Sequence, residues 1–95
     1  MDGRLTVHTV VQRSPGIEFS RLDDSYLAID AQAGYCYALD AVGGRIWDLI
    51  SDPVSISDVC ERLCIEFDVT TEKCSAEVLA LLTTLRDSGL VSVRQ

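Results

Sequence analysis

Positive charge is scarce in this chain. Eight Lys and Arg stand against fifteen Asp and Glu over 95 residues, a formal net charge of −7. Binding along a phosphate backbone draws on Lys and Arg, so the balance argues against nucleic acid as a main partner and against an anionic membrane surface. A basic or neutral peptide is electrostatically welcome. Long apolar runs are missing as well: none approaches the roughly 20 residues that span a bilayer. Met1-Asp2-Gly3-Arg4 lacks the basic start and apolar core of a secretory signal, so the expected location is cytoplasmic. Four cysteines then read as reduced thiols rather than a disulfide framework.

Chemistry-bearing residues are equally sparse. His8 is the only histidine and has no Cys–His spacing beside it. Cys60 and Cys64 lie four apart on a helical pattern, but a zinc site needs Cys36 and Cys74 to converge with them. The simpler reading places these small apolar side chains in the core. Gly43-Gly44 has no following Lys-Ser or Lys-Thr, which excludes a phosphate loop. Asp23-Asp24 reads as a solvated turn, and Trp47 as a residue that closes the edge of a core. With no catalytic set, metal ligands or cofactor motif, the expectation is a binding module and not an enzyme.

What is present is a globular composition, 47% hydrophobic and 24% charged, without linker or repeat. It predicts one domain over residues 1–95. Within it, residues 1–16 form an N-terminal segment with an extra strand, Leu5 to Val11, ended by Ser14-Pro15-Gly16. Ile17 to Leu22, Tyr26 to Asp30 and Tyr35 to Leu39 then read as an antiparallel meander. Its turns are Asp23-Asp24-Ser25 and Ala31-Gln32-Ala33-Gly34.

At Asp40 the apolar period changes from that of a strand to that of a helix, with Leu39, Val42, Ile46, Leu49 and Ile50 at helical spacings. Asp40 is the expected N-cap. Each glycine of the following pair costs about 1 kcal/mol of helix propensity relative to Ala, which suggests another backbone running close. Ser51-Asp52-Pro53 breaks the pattern, and Ser55 with Asp58 resembles a capping box. Ile56, Val59, Cys60, Leu63 and Phe67 trace the buried stripe of a second helix. Thr71 caps a third, whose stripe is Val78, Leu81, Leu82 and Leu85. Gly89 at C′ and Leu90 packing on Leu85 predict a Schellman ending, and Val91 to Val93 a short terminal strand. In a meander the last strand tends to lie at an edge, where unpaired backbone groups accept a peptide strand. The cleft floor on the third helix is expected at Cys74, Val78 and Leu81, against the alternative that these are plain core.

Ala33-Gly34-Tyr35-Cys36-Tyr37-Ala38-Leu39-Asp40-Ala41-Val42-Gly43-Gly44-Arg45-Ile46-Trp47 resembles the signature of PqqD-like proteins, in which Gly-x-x-x-x-Leu-Asn-x-x-Gly-x-x-Ile-Trp is typical. Asp40 departs from the usual Asn, although either residue caps a helix. Leu85-Arg86-Asp87-Ser88-Gly89-Leu90-Val91 matches the closing pattern, and the likeness runs from Tyr26 to Val93. It implies a winged-helix-like α+β fold: a three-stranded antiparallel β-meander followed by a three-helix bundle. It also implies a recognition element for the leader of a ribosomally made precursor peptide. The leader would be held as an added strand between the third strand (Tyr35, Cys36, Tyr37, Ala38, Leu39) and the third helix. The implied partners are that leader and modifying enzymes, a leader-removing protease and a ring-closing enzyme in a lasso-peptide pathway. The Tyr-Cys-Tyr strand and Gly-Gly-Arg-Ile-Trp helix tilt the reading to that type. A chaperone for a radical peptide-modifying enzyme is an alternative, and a winged-helix DNA-binding regulator another. For the latter the third helix offers Lys73 and Arg86 against Glu72, Glu77 and Asp87, a poor surface for phosphate.

Overall fold

A computed structural model describes residues 4–23 and 25–94. The turn residue Asp24 and the start Met1-Asp2-Gly3 therefore lie outside the described residues. The elements run β1 (Val10–Arg13), β2 (Ile17–Leu22), β3 (Ser25–Asp30), β4 (Tyr35–Leu39), α1 (Ala41–Leu49), β5 (Val54–Ser55), α2 (Ile56–Phe67), α3 (Thr71–Asp87) and β6 (Val91–Arg94). Two antiparallel three-stranded sheets result, one in the order β2-β3-β4 and one in the order β5-β1-β6. The first is the expected meander, and its last strand leads straight into α1. The second sheet was not anticipated.

The N-terminal strand differs from expectation in extent. Leu5 to Thr9 is not extended. The Thr9 N–H donates to the Thr6 carbonyl at 3.0 Å, and the Thr6 N–H donates to the Thr9 hydroxyl at 3.0 Å. The His8 N–H donates to the Thr6 hydroxyl at 3.2 Å. Threonine hydroxyls thus satisfy backbone groups locally and outcompete a ladder, despite the β-branched composition. The strand forms one turn later, and it joins β5 and β6 rather than the meander. Carbonyls of the turned segment are used further on: Ile56 donates to Thr9 and Ser57 to Val7, at 3.0 and 2.8 Å. These fill two of the orphan donors at the start of α2.

The caps follow the sequence closely. The Asp40 carboxylate accepts from the Gly43 N–H at 2.7 Å, and the Ser55 hydroxyl from the Asp58 N–H at 3.2 Å. The third cap is Thr70, not Thr71; its hydroxyl accepts from the Lys73 N–H at 3.3 Å, so Thr71 is already the first helical residue. Gly89 has φ +81°. Its N–H donates to the Arg86 carbonyl, and that of Leu90 to the Leu85 carbonyl, at 3.0 and 2.9 Å. This is the two-bond pattern of a Schellman ending, and the apolar partners Leu85 and Leu90 are both fully buried.

Both sheets and all three helices contribute to one core that includes Val11, Ala28, Leu39, Ile46, Trp47, Leu63, Val78, Leu82 and Leu85. Trp47 is fully buried; it stacks on Phe19 at 5.9 Å and lies under the Arg13 guanidinium at 5.6 Å. It therefore ties the meander to the second sheet through one aromatic body. The close approach implied by Gly43-Gly44 exists, but it is not to a backbone. A Cβ on Gly44 would collide with the ring of Tyr26, and one on Gly43 would press on the Leu39 side chain. An aromatic ring on β3 thus needs the bare face of α1. Phe67 also departs from expectation: it lies at the end of α2, beyond the reach of the core, and stays 38% exposed. Among the described residues no helix is long and apolar enough to cross a membrane.

Candidate functional site

Among the described residues β4 pairs with β3 alone, so its far side is a free edge. Which backbone groups face that edge follows from the hairpins. Leu22 pairs with Ser25 across two residues, with Asp23 at φ 52°. Two-residue loops of this left-handed kind close on a hydrogen-bonded pair. Such pairs alternate with non-bonded ones along an antiparallel ladder. Ser25, Leu27 and Ile29 therefore turn their backbone groups to β2, and Tyr26, Ala28 and Asp30 turn theirs to β4. Their partners are Leu39, Tyr37 and Tyr35. The residues between, Cys36 and Ala38, are left with N–H and C=O directed outward. The open edge thus offers two donors and two acceptors, spaced for one added strand.

The side chains sort by the same alternation. Tyr35, Tyr37 and Leu39 share the inner face with Tyr26 and Ala28. Leu39 is buried, Tyr37 half-buried against the core and Tyr35 37% exposed. Cys36 and Ala38 are exposed on the outer face. On α3, Cys74 and Val78 are only 3% and 1% exposed, whereas Leu81 is half-buried at the margin of the core. Of the expected cleft floor, Leu81 is therefore the side chain with surface to offer. Leu27 and Ile29 were not singled out from the sequence. They are half-buried on the outer face, next to Ala38 and Cys36 in the ladder. The signal was there in Tyr26 to Asp30, which is apolar on both faces instead of alternating with polar residues.

Three of the four cysteines gather between α2 and α3. The Cys74 thiol donates to the Cys60 carbonyl at 3.6 Å. Burial first, then the neighbouring Cys64 and Cys60 thiols, push the Cys74 thiol up to about 12. It is thus protonated at neutral pH and not a nucleophile. Cys36 lies apart, on the sheet's outer face, and among the described residues no group of three His, Cys, Asp or Glu side chains is placed to hold a metal ion. Iodoacetamide near neutral pH is expected to modify Cys36 first and Cys64 more slowly. Cys60 and Cys74 should react only when the protein unfolds. Peptide mapping by mass spectrometry reads the order, and early labelling of Cys74 would show that α2 and α3 separate in the native state.

The family profile of Coenzyme PQQ synthesis protein D (PqqD) matches residues 25–91, a span that runs from β3 through the first residue of β6. Among proteins of curated function, none matches the chain in sequence. Solved structures do resemble it. One, TbiB1 in complex with the TbiA(beta) leader peptide, shares 25% identity at a TM-score of 0.77, over 85% of this chain and 94% of that one. Another, a lasso peptide synthetase B1 complexed with its leader peptide, has the same fold at a TM-score of 0.76 and 23% identity, over 86% and 96% of the two chains.

Proposed function

We propose, from the premise that this chain belongs to the PqqD family, that it binds the leader of a ribosomally made precursor peptide and catalyses nothing itself. The observation that carries the reading is the open edge of β4, which follows the family's Gly-x-x-x-x-Leu signature and presents Cys36 and Ala38 outward. The leader adds as an antiparallel strand there, and its inner-face side chains meet Tyr35, Tyr37 and Leu81. Backbone pairing supplies about 0.5–1.5 kcal/mol net per hydrogen bond whatever the sequence, so selectivity falls to the side chains around it. The whole chain acts as one peptide-recognition domain that delivers the attached core to modifying enzymes. The likeness to leader-bound structures supports the peptide partner; a leader-removing protease and a ring-closing enzyme of a lasso-peptide pathway are the enzymes this reading assigns to it. The family description, coenzyme PQQ synthesis, keeps a second setting in view; in it the chain would serve a radical enzyme that modifies the peptide.

A winged-helix arrangement would also suit a DNA-binding regulator, but the third helix speaks against it. Glu72, Lys73 and Glu77 are exposed together, and Arg86 is engaged by Asp87 at 3.1 Å. Calorimetric titration of the purified protein with the synthetic leader of its candidate precursor peptide should give saturable binding. Mixed-sequence duplex DNA at physiological salt should give none. Saturable DNA binding without peptide binding would reverse the assignment.

A further inference from the structure

The outer face of the meander carries an apolar pair that the fold does not use. Across it run two rows of side chains: Glu18, Ile29 and Cys36, then Ser20, Leu27 and Ala38. Leu27 and Ile29 are half-buried, yet neither belongs to the partly buried residues packed on the core. Cys36 and Ala38, which separate them from the open edge, are small and exposed. A shallow depression of about 330 Å³ lies over Leu27, Ile29 and Cys36, at the end of the sheet where Gly34 turns the chain.

We infer that this outer face is a second reading surface for the docked strand, with Ile29 and Leu27 selecting large apolar side chains at alternate positions of the peptide. The inference rests on the leader-docking reading and adds to it. Residues paired across an antiparallel ladder share a face. The peptide residues that exchange hydrogen bonds with Cys36 and Ala38 must therefore project on the outer side. Their neighbours project on the inner side, toward Tyr37 and α3. Because positions 36 and 38 are small, a Leu, Ile, Met or Phe opposite them leans across β4 and covers Ile29 or Leu27. A short or charged residue leaves that apolar surface wet. The recognised peptide thus has an apolar-x-apolar pattern on this face, set by the strand's period of two.

The occupant is argued from continuity. The depression is lined by Tyr35 and Cys36 of β4 itself, the strand whose free edge offers the outward groups of Cys36 and Ala38. A displayed library of random peptides, long enough to span β4, tests this on the wild-type protein, Ala38→Pro, Ile29→Lys and the milder Ile29→Thr. Thermal melting confirms that each variant is folded before selection. Binders from the wild type should share two apolar positions spaced i and i+2, and should fail on Ala38→Pro. They should also weaken about tenfold on either Ile29 variant. Reselection on Ile29→Lys should turn one of the two positions to Asp or Glu. Binders that fail on Ala38→Pro but lack the pattern and hold equally to the Ile29 variants would overturn the outer-face inference and leave edge docking standing. Binders indifferent to Ala38→Pro would overturn the docking reading, and this inference with it.

Discussion

Ala38→Pro is expected to leave the fold in place and to remove peptide binding, whereas Tyr37→Pro, one residue earlier, is expected to break the sheet. The difference lies in where two adjacent N–H groups point. That of Tyr37 is committed to Ala28 on β3, so proline there deletes a ladder bond and forces its ring against the neighbouring strand. That of Ala38 faces the open edge, where proline is tolerated. The residue before a proline must be extended, and Tyr37 already is. For an added strand the same substitution is severe. One donor disappears, the peptide carbonyl it served is left unpaired at about 1–3 kcal/mol, and the ring occupies the line of approach. A fall in affinity of at least about tenfold follows, since each 1.4 kcal/mol is a factor of ten. Thermal melting and calorimetry on both variants decide the matter. Full peptide affinity in a folded Ala38→Pro protein would place the binding site elsewhere.

Charge introduced on α3 is expected to divide two positions that look alike on a helical wheel. Val78 is 1% exposed and lies among fully buried neighbours. Val78→Asp puts an unpaired carboxylate in the core, and a defect of that kind costs about 3–5 kcal/mol. Against a total stability of about 5–15 kcal/mol, a measurable unfolded fraction at room temperature is the expected result. Leu81 sits at the margin of the core, so the carboxylate of Leu81→Asp turns to water and the loss is that of partial burial. About 1 kcal/mol is the scale for half an apolar side chain. On the proposed docking of the leader between β4 and α3, the variant should fold and yet bind the leader poorly, because Leu81 is the member of the expected α3 floor that keeps exposed surface. Urea denaturation and peptide titration separate the outcomes. Equal destabilisation at the two positions would make Leu81 a core residue, and wild-type affinity in Leu81→Asp would remove it from the site.

The sequence by itself determined what local hydrogen bonding and side-chain period can determine. The change of period at Asp40, the caps at Asp40 and Ser55 and the Schellman closure at Gly89 each rest on groups within five residues of one another. Their chemistry is therefore written in consecutive letters. The same locality explains the edge: a meander whose last strand runs into a helix leaves that strand unpaired on one side. What lay beyond reach was set by partners distant in the chain. The two-residue β5 is a strand only because β1 lies beside it, some forty residues away in sequence. The segment before β1 has the composition of a strand, but Thr6 and Thr9 bind each other's backbone and its carbonyls close the start of α2.

The candidate site divides along the same line. Tyr35 to Leu39 was legible as an edge strand, but helical spacing could not separate Cys74 and Val78, buried in the core, from Leu81 at its margin. Spacing gives a direction around a helix axis and says nothing of how far a neighbouring helix extends along it. The outer-face pair Leu27 and Ile29 shows the converse. Their apolar character was visible in the strand, yet only the tertiary structure decided that the helices pack on the opposite face, leaving these two side chains uncovered beside the open edge.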